Sequence, residues 1–276
     1  MCSRPGSWTP CCADSAPPAG PRRDEPGAGA ARVRCARRSP IERFVVTLAV
    51  AHRGDPRRYR ENTLPSLSSA LERGADLVEI DLEVTRDGHL VLLHDATLRR
   101  LWWRNARVRE LTLAEVREIG RRGKYRVPSF DEALDLIKGG PGGLMVDFGE
   151  IELAGPATEA VARHGLNEQI LYVGGPVAMG MVREHAPEAH IGLSGDSFAR
   201  VPGEDVLRTL RPEYINLRWR AYDAESVARC HADGYGVSAW TVDSPRVMRR
   251  LLDMGVDMII SNRIGRLLDV VAARRD

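Results

Sequence analysis

Several features that would point to other kinds of protein are scarce or missing in this chain of 276 residues. No apolar run is long enough to cross a bilayer, which takes about 20 residues; the stretch from Phe44 to Ala51 is far too short. Before Phe44 there is no apolar run of the kind that follows the basic start of a signal peptide, so none is expected. No Gly-rich phosphate loop of the GxGxxG or Walker type occurs, which argues against an open nucleotide-binding sheet. Cysteine is limited to five residues, four of them (Cys2, Cys11, Cys12, Cys35) near the start and the fifth, Cys230, far downstream. An odd count at such spacings fits neither a zinc knuckle nor a disulfide framework, and free thiols point to a reducing compartment, the cytoplasm. Lysine is rare beside arginine, so cationic work at any site falls mostly to guanidinium groups.

The charge is unevenly spread. Residues 1–43 hold eight Arg against four acids, a surplus of four in a chain of formal charge +2, so the remainder carries about −2. That balance does not make a nucleic-acid surface, and no nucleic acid is expected as a partner. The same segment is rich in Pro, Gly, Ala and Ser with no apolar periodicity, so it cannot bury enough surface to offset chain entropy and reads as a disordered tail. One folded domain is expected over 44–276.

From Phe44 onward, short β-rich runs alternate with helical patterns. FVVTLAVA, DLVEIDLEV, GLMVDF, QILYVG, HIGLSG, YINLRW, VSAWTV and MIIS are each followed by a helical stretch. Eight strand–helix units in a row predict an α/β fold of the TIM (β/α)8 barrel type. HLVLLHD breaks the rhythm, because it follows DLVEIDLEV after only Arg86-Asp87-Gly88. So short a link forbids a parallel crossover and predicts a β-hairpin excursion after the second strand, with residue numbers summing to about 175 facing each other and His94 opposite Asp81.

Chemistry concentrates between Ala51 and Arg100. Glu79 and Asp81 lie two apart on a strand, so both leave from one face, the interior of a barrel. Like charges so close need a cation or a proton between them, and Asp147, at the end of GLMVDF, is placed to supply a third carboxylate. Three hard oxygens suit Mg²⁺ or Ca²⁺ better than Zn²⁺. His52 and His94 each end an apolar β-run beside charged partners, which points to acid–base work. Arg53 can grip a phosphate, Glu61 is placed to orient Arg53 or His52, and Arg218 shares strand parity with Asn216 near the mouth of a later strand, where a further cation would be useful.

An ordered set of motifs then becomes specific: His52-Arg53-Gly54, Glu61-Asn62-Thr63, Gly74-Ala75-Asp76, Glu79-Ile80-Asp81, Thr85-Arg86-Asp87-Gly88, His94-Asp95, Val127-Pro128-Ser129, Trp240-Thr241-Val242 and Gly255-Val256-Asp257. From Ala51 to the C-terminus the chain resembles the glycerophosphodiester phosphodiesterase family. That resemblance implies a phosphodiesterase barrel with His52 and His94 as general acid and base, a divalent metal on Glu79, Asp81 and Asp147, phosphate on Arg53, and Trp240 lining the pocket. It also implies a small-molecule glycerophosphodiester substrate, with glycerol 3-phosphate and an alcohol as products. Two departures stand out. Where the family usually has Glu-x-Lys, this chain has Asp147-Phe148-Gly149, and Leu101-Trp102-Trp103-Arg104 replaces small polar residues. Trp102 and Trp103, flanked by Arg99, Arg100, Arg104 and Arg107, suggest a lipid-contacting lip and thus a second reading, a phospholipase D-like enzyme acting on lysolipids. A third is a non-catalytic barrel that only binds phosphodiesters.

Overall fold

The computed structural model describes residues 47–120 and 125–274. The expected tail, 1–43, and its four cysteines lie outside the described residues. Strand β1 (Leu48–His52) leads through α1 (Leu64–Glu72) to β2 (Leu77–Val84), and β3 (Leu90–Leu92) folds back on it. Two short helices, α2 (Arg99–Trp102) and α3 (Leu113–Glu118), complete the excursion before α4 (Phe130–Ile137). The alternation then resumes with β4 (Gly143–Asp147), α5 (Ala154–His164), β5 (Ile170–Gly174), α6 (Pro176–His185), β6 (His190–Gly195) and α7 (Glu204–Leu210). It ends with β7 (Tyr214–Arg218), α8 (Ala224–Ala232), β8 (Gly236–Trp240), α9 (Pro245–Asp253), β9 (Met258–Ser261) and α10 (Ile264–Ala272).

Local chemistry sets these boundaries. Capping boxes open α4 (Ser129 with Glu132) and α8 (Asp223 with Ser226), each satisfying backbone N–H groups that a helix start leaves unpaired. Proline in the first turn starts α1, α6 and α9, where its missing N–H costs nothing. Except for β3, every strand pairs in parallel in the order β1-β9-β8-β7-β6-β5-β4-β2, and β1 pairs β2 to close the ring. The result is an eight-stranded parallel barrel with helices outside.

Inward positions change character along the barrel axis. Leu48 and Val50 of β1, Leu77 of β2, Met145 of β4 and Ile260 of β9 pack into an apolar plug. One strand repeat further on, the same faces present His52, Glu79, Asp81 and Asp147 at the mouth. The opposite faces, such as Val78 and Ile80, pack against the helices in the main core.

The hairpin exists, one register step away from expectation. Its pairs are Leu82 with Leu92, Glu83 with Val91 and Val84 with Leu90, a sum of 174. Thr85 N–H donates to His89 O at 2.9 Å, closing a three-residue loop whose last member, Gly88, has φ +82°. An odd loop length fixes an even sum, so Leu93, whose N–H donates to Asp81 O at 3.1 Å, faces Asp81, and His94 stands just past the ladder. The aromatic lip is also revised. Trp102 is buried, packing with Val91, Leu93, Leu98 and Val108 beneath the excursion, while Trp103 alone projects, 79% exposed. Arg60 lies over both rings, with its guanidinium carbon 4.5 Å from the Trp102 centroid and 5.0 Å from that of Trp103. No helix among the described residues is long and apolar enough to cross a membrane.

The turn leaving β1 is sterically tight. Arg53 and Gly54 both have positive φ, 59° and 90°, and a Cβ on Gly54 would sit 2.6 Å from the backbone carbon of Ser66. Backbone strain of this kind costs on the order of 1–3 kcal/mol per residue. Gly54→Ala is therefore expected to lower Tm by several degrees and to misplace Arg53. A calorimetric melt and a turnover assay check this, and a variant with unchanged Tm would refute the strain.

Candidate active site

The barrel mouth holds a cavity of about 260 Å³ whose lining includes His52, Arg53, Glu79, Asp81, His94 and Asp147. Strand pairing explains the acidic floor: Asp81 of β2 sits beside Asp147 of β4, and Glu79 lies two residues back on the same face. Each of the three acids offers an oxygen within 4.8 Å of the others. Glu79 is buried, 4% exposed. Burial, then the neighbouring Asp81 and Asp147 charges, hold its carboxyl well above the usual range. The Asp147 carboxyl is pushed up to about 7, first by burial and then by Asp81. Such a cluster of hard oxygens fits a divalent cation of the Mg²⁺ or Ca²⁺ kind.

Backbone and amide donors already steady these acids. Arg53 N–H donates to Glu79 Oε2 at 3.0 Å and to the Glu79 carbonyl at 2.9 Å. Asn62 Nδ2 donates to Asp81 Oδ2 at 2.7 Å, and Asp81 N–H reaches Asn62 Oδ1 at 3.4 Å. Asn62 is 1% exposed with φ 51°, a conformation asparagine tolerates better than most residues. The Arg53 guanidinium lies between two acids, with Nε 3.1 Å from Asp81 Oδ2 and Nη1 donating to Glu61 Oε1 at 2.9 Å. Glu61 thus orients Arg53 and does not line the cavity itself.

The two histidines are held alike, by partners of different charge. His52 Nδ1 is 2.7 Å from Asn262 Oδ1, while Asn262 Nδ2 donates to Asp243 Oδ2 at 2.9 Å. Since Asp243 can only accept from that amide, Asn262 must present oxygen to His52, which puts the proton on Nδ1 and leaves Nε2 bare. Burial, then the Arg53 charge, hold the His52 pKa below the ordinary histidine value. His94, about half exposed, has Nδ1 2.8 Å from Asp95 Oδ1, so its Nδ1 also carries the proton. Asp95 Oδ2 in turn accepts from Arg100 Nε at 2.6 Å, and Arg100 Nη2 donates to Glu61 Oε1 at 2.7 Å.

Trp240 lines the cavity and donates its indole N–H to Asn216 O at 3.2 Å. Arg218 does not reach inside. Its Nε pairs with Asp196 Oδ1 at 2.6 Å, and its guanidinium lies over the outer part of the site, 5.2 Å from the Trp240 ring centroid. Position 218 is two residues beyond Asn216 on the same face, which carries it past the mouth to the rim. Reading the sequence alone missed Asn262, Asp243, Ser194 and Thr241. Asn262 and Asp243 follow β-runs directly, the position that singled out His52, but nothing local marks an amide as the partner of a distant histidine.

Fold and site together define a class, a (β/α)8 barrel whose mouth, at the C-terminal ends of its strands, sets an acidic cluster able to hold a hard cation beside an arginine and two histidines. Residues 52–266 match the glycerophosphoryl diester phosphodiesterase family model. The chain is 31% identical over 245 residues to a glycerophosphodiester phosphodiesterase of Caldanaerobacter subterraneus, covering 82% of this chain and 98% of that one. It therefore belongs to the glycerophosphoryl diester phosphodiesterase family. Among solved structures it is similar to an Oleispira antarctica phosphodiesterase in complex with the product sn-glycerol-3-phosphate, with TM-score 0.74, 23% identity and coverage of 82% of this chain and 97% of that one. It is also similar to a Thermotoga maritima glycerophosphodiester phosphodiesterase, with TM-score 0.70, 20% identity and coverage of 81% and 98%.

Two measurements test the acidic floor. Glu79→Gln or Asp81→Asn is expected to abolish divalent binding by calorimetry without unfolding the chain, and unchanged affinity in both would rule out the metal site. The second uses pH. Folding raises the pKa of Glu79 and of Asp147, so the metal-free fold binds those protons more tightly than the unfolded chain and loses stability as pH rises through their folded values. In EDTA, this contribution to stability is expected to be lost as pH rises from about 4, where the unfolded carboxylates ionise, through about 7, the folded value of Asp147, lowering Tm, with saturating divalent cation removing most of the fall. A flat EDTA profile would contradict the repulsion.

Proposed function

We propose that this chain hydrolyses glycerophosphodiesters to glycerol 3-phosphate and an alcohol, with His52 and His94 carrying the protons. The observation that supports this most is that both rings are pinned at Nδ1 and line one cavity with Arg53 and the three acids, leaving Nε2 of each for the substrate. Glu79, Asp81 and Asp147 would hold Mg²⁺ or Ca²⁺, which when bound supplies positive charge against the phosphate oxygens.

His52, kept neutral by burial, suits the role of base. Its Nε2 takes the proton from the free hydroxyl of glycerol adjacent to the phosphoester. That oxygen attacks phosphorus while His94, protonated, gives its Nε2 proton to the departing alcohol oxygen. The cyclic phosphate so formed is opened by water in a second step: His94 takes a proton from the water, and His52 returns one to the glycerol oxygen. Each ring ends the cycle in its starting state. Arg53 holds a phosphate oxygen in both steps, and Trp240 packs against the substrate beside it.

Trp103 supports one second reading, action on lysolipids, because a large exposed aromatic beside Arg60 suits an interface between water and lipid. A product assay across glycerophosphodiesters and lysophospholipids, with EDTA and metal add-back, separates the two. Glycerol 3-phosphate release from the soluble diesters, lost in EDTA, is expected; activity confined to lysolipids would favour the second reading, and binding without turnover a non-catalytic barrel. His52→Ala and His94→Ala are each expected to lower kcat/KM by about 10²-fold or more. The pH profile should be bell-shaped, its acid limb falling below the ordinary histidine range because the His52 pKa is lowered. A flat profile would be incompatible with the pair.

A further inference from the structure

We infer that Arg100 is a positioning residue for this reaction, bridging through one guanidinium the acid that aims Arg53 and the acid that aims His94. The inference rests on the function proposed above and adds a residue to it. Arg100 Nε donates to Asp95 Oδ2 at 2.6 Å while its Nη2 donates to Glu61 Oε1 at 2.7 Å. Beyond it, Glu61 Oε1 also accepts from Arg53 Nη1 at 2.9 Å, and Asp95 Oδ1 faces His94 Nδ1 at 2.8 Å. The result is a line of alternating charge, His94–Asp95–Arg100–Glu61–Arg53, whose two ends both line the cavity.

An arginine that is 44% exposed would ordinarily contribute little, since surface ion pairs are screened and lose side-chain entropy on forming. Arg100 differs in what its partners do. Each acid it holds is already engaged with a residue at the mouth: Asp95 gives Arg100 the oxygen that His94 does not use, and Glu61 gives it the same Oε1 that receives Arg53, so the fork sets an angle as well as a distance. Without Arg100, Glu61 would have only Arg53 to neutralise it and would draw that guanidinium off the phosphate. Asp95 would lose the tie that fixes its plane, and with it the direction in which His94 points Nε2.

The surrounding fold puts Arg100 in this position. Glu61 belongs to the turn after β1 and Arg100 to α2 in the excursion, 39 residues away. Arg60, next to Glu61, lies over the ring of Trp102, the last residue of α2. Consecutive residues of one turn thus grasp α2 by a cation–π contact and an ion pair. Trp102 anchors the helix, which lets Arg100 reach inward while Trp103 stays in solvent.

The test is steady-state kinetics on a glycerophosphodiester with Arg100→Ala and Arg100→Lys, with Tm measured alongside. Arg100→Ala is expected to lower kcat by about 10–100-fold, the usual cost of removing a group that orients a site residue, and to raise KM several-fold as Arg53 drifts, with little change in Tm. Arg100→Lys should recover only part of the loss, since one ammonium cannot hold both acids in fixed geometry. Millimolar guanidinium should speed the alanine variant and leave the wild type unchanged. Wild-type turnover with both variants within about two-fold of it would overturn the bridge and leave the proposed function standing. Absence of wild-type turnover would overturn the proposed function, and the bridge would then be decided by ¹⁵N-histidine spectra at alkaline pH. A single His94 tautomer that becomes a mixture in Arg100→Ala supports it, and an unchanged His94 signal refutes it.

Discussion

Three carboxylates within 4.8 Å of one another, at the top of a closed barrel, are the constraint to which the rest of the mouth conforms. Water cannot screen them well, and the barrel interior below is apolar, so every nearby group reduces their repulsion or is oriented by it. The positive-φ turn at Arg53 and Gly54 bends the chain so that Arg53 can give Glu79 its backbone N–H and Asp81 its guanidinium. Asn62, also at positive φ, turns back to donate to Asp81. Even the hairpin follows, since β2 must pair β4 in parallel to bring Asp147 beside Asp81, which leaves β3 only the outer extension of β2.

The same constraint separates the two histidines. His52 stands 3.9 Å from Glu79 and close to Arg53, in a buried position where opposing fields meet. A carboxylate partner there would add a further negative charge to an acidic floor, and the residue present is a neutral amide, Asn262, with its own acid one step further out at Asp243. His94 lies in the open excursion, where an anionic partner is tolerable because Arg100 balances Asp95. One ring is thus oriented without a charge and the other with one. That difference fits the opposite proton roles proposed for them above.

Much of this was legible in the sequence, for reasons that differ by element. Strand and helix alternation is repeated eight times and carries its own redundancy, so a misplaced boundary does not alter the fold. The acids were legible because parity along a strand is strict: Glu79 and Asp81 cannot face apart. The hairpin register was off by a single residue, which moved Leu93 into the place given to His94, because register depends on loop length and the loop could be counted two ways. Trp102 was read as a surface residue because Arg neighbours look solvated, yet in a short helix successive residues face different ways, and Arg100, Trp102 and Trp103 go to the site, the core and solvent. Asn262 and Arg218 mark a different limit. Strand parity says which face a residue takes but not how far up the barrel it reaches, nor which distant side chain it meets.

The chain carries Gly149 where its family usually has lysine, and a Cβ at Gly149 would meet nothing within 4 Å, so no neighbouring side chain has grown into that space. Phe148 turns outward into the main core, leaving Met145 and Asp147 as the strand's contribution to the cavity, with Asp147 its charged member. Among the described residues that line the cavity, Arg53 is the sole permanent cation, and Arg218 across the mouth is committed to Asp196. Protein positive charge therefore enters from one side, the β1 turn and the excursion, through Arg53 and the Arg100 network behind it. Under the function proposed above, a phosphodiester would turn its charged oxygens toward the β1–β2 edge. The side on which the lysine would have stood is left open, and in the proposed reaction the phosphate would fall to a single arginine and the residues that hold it.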